Sequence, residues 1–546
     1  MKRVLVISYY WPPAGGSGVQ RWVKFAKYLP AEGWKPVIYT PENPELSSVD
    51  ETLLADIPAE AEIIRRPITE PYGIYRRLMG SKASTDMQTL IGGSRGNESV
   101  KGKAGGGVGA QAAGGGETAP GGTAPATARA TGGEVNPISG GSKNWKQNLS
   151  LWIRGNLFIP DPRVWWVRPS VRFLKKYLRE HPVDVIVTTG PPQSMHLIGR
   201  GLHRATGIPW VADFRDPWTK MFYYKHLHLG KAADRKQHRL EKSVLDEASA
   251  VISVSPLVQR EFQEMTRTPV VLITNGFDED DYPAMPNAPV EKVCSNTADL
   301  HQENRPSPAQ DANSVEKVSK PQADLLHDDS PAEFRVTHTG LFAEDGNPLV
   351  LWDVLAAKCA GDEAFRNALR IRLVGKVDAA IVEAIEARGL GPNLDNLGYR
   401  SHDEAVAEQR AASLLILPLR QEPEYRNVLP GKIFEYLAAR RPVLGIGQED
   451  GAAAQVLADT RTGVMCDWDQ SASIRSAVDR AWYAHLSAAP SAAPANPSAA
   501  DPDSGSVSTP STPTTPAFPA FNPTGIDRYT RRHLTRLLAT LLDQLS

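Results

Sequence analysis

Cysteine is scarce in this chain: Cys294, Cys359 and Cys466 are three in 546 residues, and they lie far apart. That spacing offers no metal-ligand set and no disulfide framework, which fits a reducing compartment. Charge of one sign is lacking too. With 61 Lys and Arg against 62 Asp and Glu the net charge is −1, so nothing draws the whole chain toward nucleic acid. No long apolar run opens the chain. The first run, residues 4–8, soon meets Pro12 and Pro13, too short for a membrane span or a signal-peptide core, and a cytoplasmic soluble protein is expected. The glycine-rich loop that follows contains neither G-x-G-x-x-G nor G-K-[ST], so it is neither a dinucleotide fingerprint nor a P-loop.

Three stretches have the composition of unfolded chain. Residues 81–145 are dominated by Gly, Ala, Thr and Ser, residues 286–332 are polar and proline-punctuated, and residues 487–522 are rich in Pro, Ser, Ala and Thr. They bury too little apolar surface to offset chain entropy and are expected as disordered insertions or linkers.

Between them, short apolar runs alternate with helical patterns. Strands are expected at 4–8, 36–40, 183–188, 209–213, 250–254 and 270–274, then at 334–339, 370–374, 394–397, 414–417 and 442–446. Helices are expected at 19–32 and 231–246, and again at 348–359, 378–388 and 403–410. Such alternation means right-handed βαβ units and parallel sheets. The fold class is therefore α/β, with two Rossmann-like doubly wound domains facing across a cleft, one at 1–285 and one at 333–486. Residues 523–546 supply a closing helix whose stripe of Leu534, Leu537, Leu538 and Leu541 packs on a domain. In doubly wound sheets ligands bind beyond the carboxyl ends of the strands, which directs attention to the loops there.

The richest of these loops is at residues 430–445. Gly431 lets backbone approach a ligand, and Lys432 brings a cation to a helix start, where unpaired N–H groups and a partial positive charge suit phosphate. Ile433, Phe434, Leu437 and Ala438 form the buried stripe, leaving Glu435 and Tyr436 off it. A carboxylate in the first turn is placed to accept two hydrogen bonds from a vicinal diol such as ribose. Lysine for phosphate and glutamate for ribose together suggest a nucleotide-sugar site.

Other loops add candidates. Gly16, Ser17 and Gly18 follow the first strand and can cradle an oxyanion with backbone N–H groups, or form a simple tight turn. In the first domain Asp213, Arg215 and Asp216 offer a cation and two carboxylates where an acceptor hydroxyl would sit, with His196 nearby. The bland alternatives are an Arg215–Asp216 pair and a packed His196. In the second domain Gly340 and Gly375 end successive strands, and Lys376 adds a second cation. Tyr399 and Arg400 follow the next strand, where a nucleobase could be received. The acidic run 278–281 reads as a helix start favouring acids rather than a metal site.

Between residues 148 and 179, Trp152, Phe158, Trp165, Trp166 and Phe173 are interleaved with Arg154, Arg163, Arg168, Arg172, Lys175, Lys176 and Arg179. Such mixing suits peripheral contact with an anionic membrane. An ordinary helix whose tryptophans line the core or an acceptor cleft is the equal alternative.

These residues together resemble the GT-B glycosyltransferases, and within them the GT4-like retaining family. The matching parts, in the family's order, are Gly15-Gly16-Ser17-Gly18, Thr274-Asn275-Gly276-Phe277-Asp278, Thr339-Gly340, Leu373-Val374-Gly375, Leu397-Gly398-Tyr399 and Pro430-Gly431-Lys432-Ile433-Phe434-Glu435-Tyr436-Leu437. The resemblance implies a nucleotide-diphosphate-sugar donor held by the C-terminal domain and a glycan or lipid-linked acceptor held by the N-terminal one. It also implies retention of anomeric configuration, no cofactor and no obligatory metal. By position, Glu435 matches the second glutamate of the family's E-x7-E motif. Asn427 stands at the first, which in the family faces the donor sugar, and is the donor-binding candidate there, able to hydrogen-bond a sugar hydroxyl. Glu344 to Asn347 stand where an arginine is common, so Lys376 and Lys432 carry more of the charge facing the diphosphate. Arg215, Asp216, Lys376 and Lys432 are the catalytic candidates. A catalytically inactive sugar-nucleotide or glycan-binding protein, and a nucleotide-sugar epimerase on the same scaffold, remain the alternatives.

Overall fold

The computed structural model describes residues 1–44, 49–69, 152, 155–221, 224–227, 229–282, 333–488 and 521–546. The low-complexity stretches expected at 81–145 and 286–332 lie outside these residues. So does the third, except for 487–488, which end a helix at Ser471–Ala488, and 521–522. The chain forms two compact units. The first holds Met1–Val254, Val258–Leu272 and Leu538–Ser546, and the second Ser255–Leu257 and Ile273–Leu537.

The first unit is built on seven strands: β1 (Lys2–Ile7), β2 (Trp34–Pro41), β3 (Glu62–Arg66), β4 (Val185–Gly190), β5 (Trp210–Phe214), β6 (Ala250–Ser253) and β7 (Val270–Leu272). They pair in parallel in the order β3-β2-β1-β4-β5-β6-β7. Strands buried on both faces read as continuous apolar runs, as Val4, Leu5, Val6 and Ile7 do, all of them inaccessible. Strand β3 was not expected from the sequence, because Glu62, Arg65 and Arg66 break any apolar run. An edge strand tolerates such charge and is protected by it. The expected helix at 19–32 is instead Ser17–Tyr28, followed by a 3-10 turn at Leu29–Glu32. Pro30 removes a backbone donor there and Gly33, at φ 82°, closes the turn.

The second unit has six parallel strands: β8 (Phe334–Thr339), β9 (Leu369–Val374), β10 (Leu394–Gly398), β11 (Leu414–Pro418), β12 (Val443–Ile446) and β13 (Gly463–Cys466). Their order is β10-β9-β8-β11-β12-β13. One core cluster gathers Phe334, Trp352, Leu355, Phe365 and Trp482, and another gathers Ile433, Phe434, Leu437, Val456 and Tyr529. Two helix-face expectations change. Tyr436, expected off the buried stripe of helix Gly431–Ala439, is fully buried, because its hydroxyl accepts the Thr339 N–H at 3.1 Å and so satisfies its polar end inside. In the last helix, Arg531–Leu545, Leu537 is 40% exposed while Leu534, Leu538, Leu541 and Leu542 are buried. The buried positions follow i, i+4, i+7, i+8, and Leu537 falls at the edge of that stripe.

In each sheet the strand order reverses once, between β1 and β4 and between β8 and β11. A topological switch point opens a crevice at the carboxyl ends of those strands, and nearly every loop singled out from the sequence begins near one of the two.

Candidate active site

In the first unit, the loop after β1 reaches the start of helix Ser17–Tyr28 through Gly16, at φ 100°. The Val19 N–H donates to the Gly16 carbonyl at 3.0 Å, and the first turn presents its remaining N–H groups outward, as any helix start does. A Cβ on Gly18 would fall 2.1 Å from Arg215 Nη1, so only glycine lets the guanidinium lie against this turn. Arg215 Nε donates to the Gly190 carbonyl at 3.3 Å, Nη2 donates to the Pro191 carbonyl, and the group lies over the Tyr10 ring. Asp216 is half-buried, and burial pushes its carboxyl above the usual range, with Arg215 opposing. Gly16, Ser17, Gly18, Arg215 and Asp216 thus occupy one switch point.

Two expectations here are corrected. Asp213 is fully buried, and its oxygens are occupied by Arg21 Nη2 at 2.9 Å, Arg21 Nε at 3.2 Å, Trp22 Nε1 at 2.7 Å and Thr189 Oγ1 at 2.9 Å. Burial would raise its pKa, but these partners outweigh that and hold the carboxyl below its ordinary value. It braces helix Ser17–Tyr28 against β5 and does not face an acceptor. His196 is also fully buried, stacked on Phe214 with ring centroids 4.5 Å apart. Thr188 Oγ1 accepts from Trp210 Nε1 and is paired with His196 Nδ1, both at 2.9 Å. Burial pushes the imidazole down to about 3. A neutral interior histidine packs beneath Gly190 and is not an acceptor contact.

The second unit assembles its loops by backbone bonds between neighbouring strand ends. Gly340 N–H donates to the Val374 carbonyl at 2.6 Å, and Gly375 N–H to the Gly398 carbonyl at 2.7 Å. Gly340 (φ 104°) and Gly375 (φ 120°) both take conformations that disfavour side chains. A Cβ on Gly375 would meet Gly340 O at 2.3 Å, and one on Gly340 would meet Lys432 Cε at 2.3 Å. Lys432 therefore rests against the turn that ends β8. Its Nζ lies 2.9 Å from Glu435 Oε2, one helical turn away. Burial lowers the lysine's pKa, but the Glu435 carboxylate and Tyr436 outweigh it and hold the ammonium above its ordinary value. Gly431 opens the helix with no atom within 4 Å of its Cβ position, so the backbone there faces open space.

The other candidates lie around this centre. Lys376 is exposed after β9, with its carbonyl accepting the Phe342 N–H at 2.9 Å. Tyr399 is 76% exposed after β10, and Arg400 beside it is exposed, 3.9 Å from Glu404. Asn427 is half-buried at the end of a 3-10 turn, Pro423–Asn427. The acidic run forms a 3-10 turn at Glu279–Asp281 capped by Asp278, whose carboxylate accepts the Asp280 N–H at 3.3 Å. Among the described residues no group of three or more His, Cys, Asp or Glu converges as a metal set.

Sequence reasoning left four participants unassigned. Arg21 shares a helix face with buried Phe25, and a charge on a buried face signals a buried partner. Arg420, after β11, lies 3.0 Å from Asp345 and so brings a cation to the loop in which arginine was missing. Gln409 and Tyr282 contact the Glu435 neighbourhood. Only Gln409, on the same helix face as buried Val406, left a sequence signal.

The family profile Glycosyltransferase Family 4 matches residues 132–281, and Glycosyl transferases group 1 matches residues 334–482. Together they span more than half of the chain. No curated protein sequence matches significantly. Among solved structures, sucrose-phosphate synthase from Thermosynechococcus elongatus is similar at 12% identity with a TM-score of 0.50, over 100% of this chain and 99% of that one. A glycosyltransferase from Rickettsia africae is similar at 12% identity with a TM-score of 0.48, over 100% and 98%. At such identity the first likeness speaks for the fold alone, and it agrees with the two doubly wound sheets. Profiles, sheets and switch-point loops converge on one assignment: the chain belongs to the GT4-like glycosyltransferases of GT-B architecture.

Proposed function

We propose that this glycosyltransferase moves a sugar from a nucleotide-diphosphate-sugar donor to a glycan or lipid-linked acceptor, with retention, in cell-surface polysaccharide or glycoconjugate synthesis. The observation that supports the donor assignment is the Lys432–Glu435 pair at a helix start, pressed against Gly340 at a switch point. Lys432 would leave Glu435 for the diphosphate, and Glu435 would take the ribose hydroxyls. As the bond from the anomeric carbon to the diphosphate breaks, negative charge grows on the leaving oxygen. Lys432, Lys376 and the helix N-terminus would stabilise it there. The sugar ring gains positive character, and the acceptor hydroxyl attacks from the face the diphosphate leaves. In the first unit, the Gly16–Gly18 turn would offer backbone N–H groups to the donor's diphosphate, and Arg215 and Asp216 would supply a cation and a carboxyl able to hold an acceptor hydroxyl. Asn427 would reach a donor-sugar hydroxyl, and Tyr399 with Arg400 the base.

The acceptor is proposed to be membrane-borne, at the cytoplasmic face. Helix Val164–Glu180 exposes Trp165, Arg168, Arg172, Lys175, Lys176 and Arg179, five cations at helical spacing with an aromatic at the head. None of the five pairs with an acidic side chain among the described residues. Trp152 and Leu157 are exposed near the start of that helix, and Phe158 packs edge-on to Trp165 at 5.4 Å. Trp166, in contrast, is buried and stacked on Tyr39, as the core reading expects. No helix among the described residues is long and apolar enough to cross a membrane.

The test is a donor panel. Purified protein is screened by thermal shift against nucleotide sugars, then assayed for transfer and donor hydrolysis. Glu435→Ala should raise the donor KM about 10- to 100-fold, the loss of a charged hydrogen bond, and Lys432→Ala should depress turnover. Near-normal kinetics in both would sink the assignment. Donor binding with neither transfer nor hydrolysis would favour a binding protein, the reading that Asn427 at the glutamate position keeps open.

A further inference from the structure

Glu435 does not hold its position alone. Gln409, on helix His402–Ala411, is buried to 1% exposure. Its Nε2 donates to Glu435 Oε2 and to Thr339 Oγ1, each at 2.9 Å, and its Oε1 accepts from the Tyr282 hydroxyl at 3.0 Å. The amide therefore uses both donor hydrogens and an acceptor lone pair, a combination that few side chains offer at that length. Arg410 lies over the Tyr282 ring at 5.6 Å and fixes the far end of this chain of bonds. At the near end, Oε2 of Glu435 is shared between Gln409 and Lys432. The carboxylate is thereby turned so that Oε1 forms no hydrogen bond among the described residues, while the residue keeps about a third of its side chain exposed.

We infer that Gln409, backed by Tyr282, is a positioning residue that orients the Glu435 carboxylate for a vicinal diol. The inference rests on the proposed ribose role of Glu435. It adds that the specificity for a ribose over a deoxyribose is set outside the ligand's reach. A carboxylate swinging freely would accept one hydroxyl nearly as well as two, whereas a carboxylate locked at one oxygen presents the other in a fixed direction, and the diol's second hydroxyl then gains. Only a neutral amide serves at 409. A carboxylate there would repel Glu435, and a lysine could not accept from Tyr282.

The experiment compares binding of ADP, GDP and UDP with their 2′-deoxy counterparts by calorimetry, using whichever base binds best, in the full chain and in three variants. The parent should prefer the ribonucleotide about tenfold. Glu435→Ala should reduce that ratio to near one. Gln409→Leu should reduce it to within about threefold of one, and Tyr282→Phe should fall between. A parent-like ratio in Gln409→Leu alongside a collapsed ratio in Glu435→Ala overturns the inference but leaves the ribose role standing. An unchanged ratio in Glu435→Ala overturns both. If Gln409→Leu does not fold, Tyr282→Phe carries the comparison, and a parent-like ratio there overturns the inference.

Discussion

Arg21 and Asp213 form an ion pair with no solvent exposure on either partner's residue, joined by two hydrogen bonds of 2.9 and 3.2 Å. The pair ties the helix that follows the glycine loop to the end of β5, the strand that leads into Arg215. Removing one partner leaves a buried charge uncompensated, which costs about 3–5 kcal/mol. Arg21→Met should therefore lower the stability of the first unit by that amount in denaturant titration. The double variant Arg21→Met with Asp213→Leu should recover part of it, because no lone charge remains.

Gly340→Ala addresses the second unit. The new methyl would meet Lys432 at 2.3 Å and would hold a φ of 104°, a strain of roughly 1–3 kcal/mol. On the proposed role of Lys432, turnover should fall more than stability, since displacing the lysine would remove its charge from the leaving group. Melting temperature and kcat measured on the same preparation separate the two effects.

Acid should destabilise the protein through its interior histidines. Burial lowers His196 to about 3 and His338 to about 4, against an ordinary 6.5. Both are neutral in the folded state, while the unfolded chain takes up a proton below 6.5. Their stabilising effect is complete above that pH and is lost progressively as pH falls toward the folded values. By pH 5 each should account for roughly 2 kcal/mol. The His196→Asn variant should show a shallower decline between pH 7.5 and 5, by about that amount, in denaturant titrations at each pH.

Binding to vesicles tests the exposed face of helix Val164–Glu180. Vesicles of phosphatidylcholine with added phosphatidylglycerol should bind the protein, and salt should weaken the binding. Arg172→Glu with Lys176→Glu should reduce it by roughly tenfold or more, at about 1 kcal/mol per basic residue near the surface. Phosphatidylcholine alone should not distinguish the variant from the parent.

Much of this architecture could be read before any coordinates, for a physical reason. Central parallel strands such as β1 and β11 are buried on both faces, so they appear as nearly unbroken apolar runs. The position of Lys432 and Glu435 in the first turn of a helix was legible from the apolar stripe that follows Pro430 and Gly431. The edge strand β3 was not, since its charges are compatible with solvent and its only cue is the pairing with β2. Asp213 and His196 looked like site residues because polar groups beside strand ends often are. What the sequence could not reveal is that their partners, Arg21 and Thr188, turn them inward. Gln409 and Tyr282 lie 127 residues apart, and nothing local pairs two residues that meet only through the fold.

On the proposed reading, Lys432 and Glu435 answer one another's charge, so the turn by itself offers little to passing ions. Inorganic phosphate arriving alone would have to part the pair and leave the carboxylate bare. A nucleotide would bring an anion for the lysine and hydroxyls for the glutamate, and so compensate both halves of the separation at once. On the proposed reading, the short ion pair acts as a lock with two tumblers, turned only by a molecule that carries both features a fixed distance apart.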